Sequence, residues 1–360
     1  MLGGFIVVVL ALGGLAWWWL QRRGAGPRHP AAAARRAAAP SRVSAPAPAA
    51  APTTPALADT ALAEDGRLVR HENLDSERRQ ALLQDLRQLP RPPRALHALV
   101  SPDFVARASS TELAELVMTE PVVAARVMAA VNSPLYGLRS AVTSVGQAIT
   151  FLGLNTVRNL SLQHLLREAM PTPAPALRQE FDVLWSSSAI ASELSLALAR
   201  RLQLPDAAGM STQLVLHFLG RFAAVTLLHM QAGTTLSPTG LQERALVEQQ
   251  RLGLSSGEIG SLLLQEWGLP AAMEAPTRAI ARVAFAVPPA PAQATRLVLA
   301  ALCASLAERI ARRQLTALQD YAPEQDPHDD LQALRPHLPA PVLAAVGEAL
   351  RDPEIARVLA

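Results

Sequence analysis

Residues 120–160 read EPVVAARVMAAVNSPLYGLRSAVTSVGQAITFLGLNTVRNL, and their punctuation decides the fold class. Glu120-Pro121 ends one helix and opens the next, because proline is tolerated at the first helical position. Val123, Val127 and Val131 recur every four residues, which lines one face of a helix. Asn132-Ser133-Pro134 breaks that helix. Ser144-x-x-Gln147 is a capping-box pattern that opens another helix through Ile149 and Leu152, with Gly153 as its C-cap. Asn155 or Thr156 can cap the next helix, which runs to about Glu168. Upstream, Ser109-x-x-Glu112 is a further capping box ahead of Leu113, Leu116 and Val117.

The same helical punctuation extends outward. From Leu68 onward there is no sustained two-residue alternation and no Asn-Gly hairpin signal. Phe181 to Leu202 carries a long amphipathic pattern. Further helices are expected at about Thr212–Met230, Thr239–Leu252, Ser256–Trp267 and Arg296–Leu315. The body is therefore expected to be all-α. Its one cysteine, Cys303, excludes an internal disulfide and lies in an apolar run, as a buried thiol would.

The N-terminus is different. Leu2 to Leu20 carries no charge and is close to the ~20 residues that cross a bilayer as a helix. Trp17, Trp18 and Trp19 then Arg22 and Arg23 close the run, as at a membrane interface facing the cytoplasm. No basic residue precedes the run and tryptophan fills its exit, which favours an uncleaved anchor over a signal peptide. Residues 24–60 are dominated by Ala and Pro and read as an extended spacer. The expected organisation is a transmembrane anchor with its arginine flank at 1–23, an Ala/Pro-rich linker at 24–78, a helical domain at 79–318 and a helical tail at 319–360.

The pI of about 9.9 points to nucleic acid only superficially. The chain has 33 basic residues, all of them arginine, and a formal net charge of +3. Six of those arginines lie between residues 21 and 58 with no acid among them, so the remainder is mildly acidic. A net-negative body disfavours binding driven by counterion release. No aromatic-interleaved basic stripe exists, so Arg139, Arg158, Arg167, Arg200 and Arg201 read as solvated arginines. No specific nucleic-acid partner is expected. Heavy use of Ala, Arg and Pro without lysine suggests a GC-rich bacterial genome.

Two enzymatic patterns fail on context. Gly253-Leu254-Ser255-Ser256-Gly257 has nucleophile-elbow spacing, but a helix rather than a strand precedes it and no histidine falls between His229 and His328. It reads as a helix–helix turn with Ser255 as a cap. A di-metal helical phosphohydrolase needs several His and Asp ligands, and no two of the eight histidines have the spacing of a His-Glu-x-x-His helix. His217, between Leu216 and Phe218, reads as a hydrogen-bonded core residue.

The stretch from Leu89 to about Pro270 resembles the HDOD domain, a bacterial relative of the HD and HD-GYP phosphohydrolases. The resemblance is carried by Leu89-Pro90-Arg91-Pro92-Pro93, by Pro121, and by Asn132, Ser133, Tyr136 and Gly137 in the Asn-Ser-Pro-Leu-Tyr-Gly turn. Ser144, Gly153 and Arg158 continue it. Trp185, Gly253, Glu258-Ile259-Gly260 and Trp267-Gly268-Leu269-Pro270 complete it. The resemblance implies a multi-helix bundle and a signalling or output role.

It also marks departures. Where active HD enzymes carry the His-Asp dyad this chain has His217-Phe218. Ser187 stands where relatives often carry a histidine, and Ser255-Ser256 where they carry an Asp-His pair. Arg278 to Ala284 lacks the usual paired histidines. The implied function is a non-catalytic regulatory module without metal or cofactor. It would act through contact with an unidentified signalling protein, tethered to the cytoplasmic face of the inner membrane and able to self-associate. A residual phosphodiesterase, a cyclic-dinucleotide-binding sensor and an extracytoplasmic module remain the alternatives.

Overall fold

The computed structural model describes residues 68–170, 173–233, 240–286, 291–316 and 318–352. The anchor expected at 1–23 and the spacer up to residue 67 lie outside the described residues. Among the described residues all regular elements are helical. Residues 68–132 and 140–352 belong to one compact unit. The turn Ser133–Arg139 falls in a second unit and is described by itself.

The first helices follow their caps. α1 (Ser76–Leu86) starts at Asp75, whose carboxylate accepts the Arg78 N–H. Its onset, and the burial of Leu68 and His71, place residues 68–78 of the stretch expected to be linker within the packed body. α2 (Arg94–Val100) and α3 (Pro102–Arg107) meet at Ser101. α4 (Ser110–Met118) has its capping box complete, with Ser109 and Glu112 each accepting the other's backbone N–H. α5 (Pro121–Val131) buries Val123, Val127 and Val131, worth about 1.5–3 kcal/mol each against exposure.

α6 (Val145–Leu152) makes half of its expected box. Ser144 Oγ accepts the Gln147 N–H, but Gln147 reaches back to Thr143, whose N–H it accepts at 2.9 Å. α7 (Leu154–Ala169) begins directly at Gly153. Neither Asn155 nor Thr156 caps it, because Gly153 turns the chain at φ +89°, a value that glycine adopts without strain.

The second half supplies the core. α8 (Arg178–Arg201) packs along α9 (Ala207–Ala232) and α13 (Pro291–Ala311). Between them in sequence lie α10 (Leu241–Leu252), α11 (Ser256–Glu266) and α12 (Glu274–Arg282). α9 also packs on α11 and α12. By length and composition α9 could cross a membrane, yet it is mostly buried inside the fold, as expected of a helix apolar all round. The crossing of α9 and α11 depends on two glycines. A Cβ on Gly220 would stand 2.1 Å from the Ser256 carbonyl oxygen, and the Gly260 Cα lies 3.0 Å from that same position. Gly260 of the Glu258-Ile259-Gly260 segment is therefore a packing requirement.

The tail closes on this core with α14 (Asp329–Leu334) and α15 (Ala340–Arg351). Asp330 accepts the Leu241 N–H and the Ser305 hydroxyl, both at 2.6 Å, which ties α14 to α10 and α13.

Candidate functional site

α9 carries His217 and Phe218 into the centre of the protein, where both are essentially inaccessible to water. His217, expected from sequence to be a hydrogen-bonded core residue, is buried as expected, and among the described residues its only polar neighbour of that kind is the Thr277 backbone, which makes no full hydrogen bond to either ring nitrogen. Burial, then the charges of Arg221 and Arg244, push the imidazole down to about 3, with Glu308 and the Thr277 backbone opposing weakly. His217 is thus a buried ring held neutral chiefly by its burial.

One turn along α9, Arg221 enters a buried ionic cluster. Its guanidinium meets Glu308 of α13 and lies 3.7 Å from Glu248 of α10. Arg244 of α10 holds the other Glu308 oxygen at 3.0 Å. Burial works to raise the Glu308 carboxyl, but Arg221, Arg244 and Arg312 outweigh it and hold the group at about 2. Glu248 also accepts the Ser256 N–H at 2.7 Å. Ser255 occupies the N-cap position of α11 as expected, but its side chain does not cap; the remote carboxylate serves instead.

A second cluster forms where the segment before α1 lies against α11 and α12. Glu258 Oε2 accepts the His71 N–H at 3.0 Å and lies 2.9 Å from His71 Nδ1. Arg282 Nε donates to Glu258 Oε1 at 2.8 Å, while Nη2 lies 2.7 Å from the same oxygen and donates to the Val69 carbonyl at 3.2 Å. Arg278 reaches Glu72 at 2.7 Å and holds that carboxyl down at about 2. Burial opposes ionisation of Glu258, but His71 and Arg282 keep its carboxyl below the ordinary range.

His71, Glu72 and Glu258 are close enough to hold a metal ion. Their chemistry does not fit one. Arg278 and Arg282 already balance the two carboxylates, so a divalent ion would add uncompensated charge to a neutral cluster. His217 belongs to no such group among the described residues. Beside this second cluster lies a cavity of about 440 Å³ whose polar walls are Arg70, Gln213, Arg278, Arg282, Gln293 and Arg296. Gln213 sits one turn before His217 on α9.

The remaining residues singled out from sequence are dispersed. Pro121 is the exposed first residue of α5. Asn132 ends that helix and exchanges hydrogen bonds with the Val142 backbone at 2.8 and 2.9 Å. Within the separate turn, Tyr136 and Gly137 donate their N–H groups to the Ser133 and Pro134 carbonyls, and Gly137 adopts φ +57°. Ser144 and Gly153 are helix caps. Trp267 is buried at the end of α11, and its indole N–H has no partner among the described residues. Ser187 donates to its own helix at the Val183 carbonyl.

Arg158 overturns its assignment as a solvated arginine. It is fully buried and donates to the Val105 and Ala208 carbonyls at 3.3 and 3.0 Å. Burial lowers its guanidinium to about 10.

Comparison with known proteins agrees with this architecture. The profile of the HDOD domain matches residues 89–283. No curated protein matches the chain. The crystal structure of an HDOD domain protein of unknown function from Geobacter sulfurreducens is 19% identical. It has a TM-score of 0.53 over 79% of this chain and 97% of that one. A protein from Shewanella amazonensis SB2B, provisionally named a phosphohydrolase, is 21% identical, with a TM-score of 0.52 over 78% of this chain and 96% of its own. These likenesses are likenesses of fold.

Proposed function

Because the chain belongs to the HDOD family, we propose that it is a non-catalytic signal-transduction module. It acts by protein–protein contact at the cytoplasmic face of the inner membrane, held there by its N-terminal apolar run. One observation carries the non-catalytic part of this reading. His217, which the resemblance places at the HD position, is fully buried with its protonated form disfavoured first by burial and then by Arg221 and Arg244, and Glu308 is already paired with two guanidiniums. A hydrolytic metal needs neutral or anionic donors converging on a space that water reaches.

The test is to load the full-length chain with manganese or iron, measure bound metal, and assay hydrolysis of phosphodiesters including cyclic dinucleotides. Metal well below one equivalent with no turnover is expected. Stoichiometric metal with turnover that disappears in His217→Leu would establish the residual phosphodiesterase instead. Crosslinking in membranes identifies the signalling partner or a second copy of this chain. A C-terminal reporter active only outside the cytoplasm would reverse the topology.

The arginine-lined cavity favours a second reading, in which the module senses a bound ligand without consuming it.

A further inference from the structure

Four arginines converge on one cavity from separate parts of the chain. Arg278 and Arg282 share a face of α12, four residues apart. Gln293 and Arg296 face the same space from α13, Gln213 from α9, and Arg70 from the segment before α1. Three of the four are held by carboxylates: Arg278 by Glu72, Arg282 by Glu258 and Arg296 by Asp206 at 2.8 Å. Arg70 has no ion pair among the described residues.

The pairing also leaves donors available. Arg278 engages its partners only through Nη1, and Arg296 only through Nη2. The other edge of each guanidinium has no protein partner among the described residues. Ion pairs thus fix the guanidiniums in place before anything binds, which lowers the ordering cost of binding.

We propose that this cavity binds a phosphorylated small molecule of about nucleotide size. Guanidinium forks match phosphate oxygens bidentately, and several of them around one space suit a ligand with more than one phosphate charge. A volume of about 440 Å³ lies within the usual range for small-molecule sites. Two glutamines add neutral donors and acceptors for the organic part. The site rests on the preceding reading in one respect: the ligand is held and released unchanged.

Calorimetry on the full-length chain in detergent tests the site, with inorganic pyrophosphate, ADP and uncharged adenosine as probes. Saturable binding of pyrophosphate and ADP is expected, weaker at higher ionic strength, with none for adenosine. Tighter ADP than pyrophosphate places the organic part in the cavity, and equal affinity confines recognition to the diphosphate; either supports the site. Arg70→Gln and Arg296→Gln should each raise the Kd about tenfold. Arg107→Gln, an exposed arginine on α3, should leave it unchanged. Absence of saturable binding by both anions, or binding indifferent to both cavity variants, overturns the site. Recovering the ADP afterwards separates the two claims. Intact bound ADP supports both, hydrolysed ADP keeps the site and defeats the non-catalytic reading, and unbound ADP and pyrophosphate defeat the site alone.

Discussion

The cluster of Arg221, Arg244, Glu248 and Glu308 and the cluster of His71, Glu72, Glu258, Arg278 and Arg282 use the same chemistry in different surroundings. In the first, all four charged side chains are under 10% exposed, and the guanidiniums point at carboxylates. In the second, Glu258 is just as buried but Arg278 and Arg282 are 19% and 24% exposed and form the wall of a cavity. An ion pair sealed from water can only hold elements together. A pair at the rim of a cavity can hold its arginines in place and still offer N–H groups to a ligand. The first cluster thus acts as a clamp joining α9, α10 and α13, and the second as a support for a binding surface.

The sharpest way to break this comparison is Glu308→Ala. It strands two buried guanidiniums, and the expected loss of stability is about 3–5 kcal/mol, read by urea denaturation. A loss below about 1 kcal/mol would mean that the first cluster is not sealed. Glu258→Gln removes the carboxylate charge from the second cluster, where water can partly replace it. A smaller loss of about 2–3 kcal/mol is expected, together with weaker pyrophosphate binding as Arg278 and Arg282 lose their support.

Acid distinguishes the regions next. His217 stays neutral in the fold down to about 3, whereas in the unfolded chain it protonates near its ordinary 6.5. The unfolded state therefore takes up the proton first, and stability falls as pH drops from 6.5 toward 3. Between about pH 7 and 5 this amounts to about 2 kcal/mol, a share that His217→Leu should lack in parallel denaturation series. Glu308 adds a separate loss at lower pH. Its folded value of about 2 lies below its ordinary 4.5, so its contribution is present above 4.5 and disappears as pH falls through 2. The smallest effect is that of Arg70→Gln. Exposed, and without an ion pair among the described residues, Arg70 should change stability by less than about 0.5 kcal/mol while weakening anion binding.

Local features were legible in the sequence because they are set by near neighbours. The Ser109–Glu112 box, the valine stripe of α5 and the glycine stop at Gly153 all depend on residues within four positions. The resemblance drew attention to Glu258-Ile259-Gly260, and the contacts of that segment emerge only in three dimensions. Gly260 admits α9, and Glu258 grips a histidine 187 residues away. Such pairings leave no trace in local spacing. The same holds for Arg221 with Glu308 and for the arginines of the cavity. Arg158 was misread because charge balance and the lack of a basic stripe say nothing about which single arginine is buried. Its burial is set by α3 and α9, whose carbonyls receive it. The serine at the start of α11 was read as a cap on local grounds, and a carboxylate from α10 took that place.

The central claim is that burial, with Arg221 and Arg244 nearby, keeps His217 from taking up a proton or a metal ion near neutral pH. NMR of the full-length chain with isotope-labelled histidine measures this directly, with the His217 signal assigned by its disappearance in His217→Leu. The account predicts an imidazole that remains neutral from about pH 8 to 5 and does not shift when zinc or manganese is added. Titration near 6.5, or a metal-dependent change confined to that signal, would contradict it.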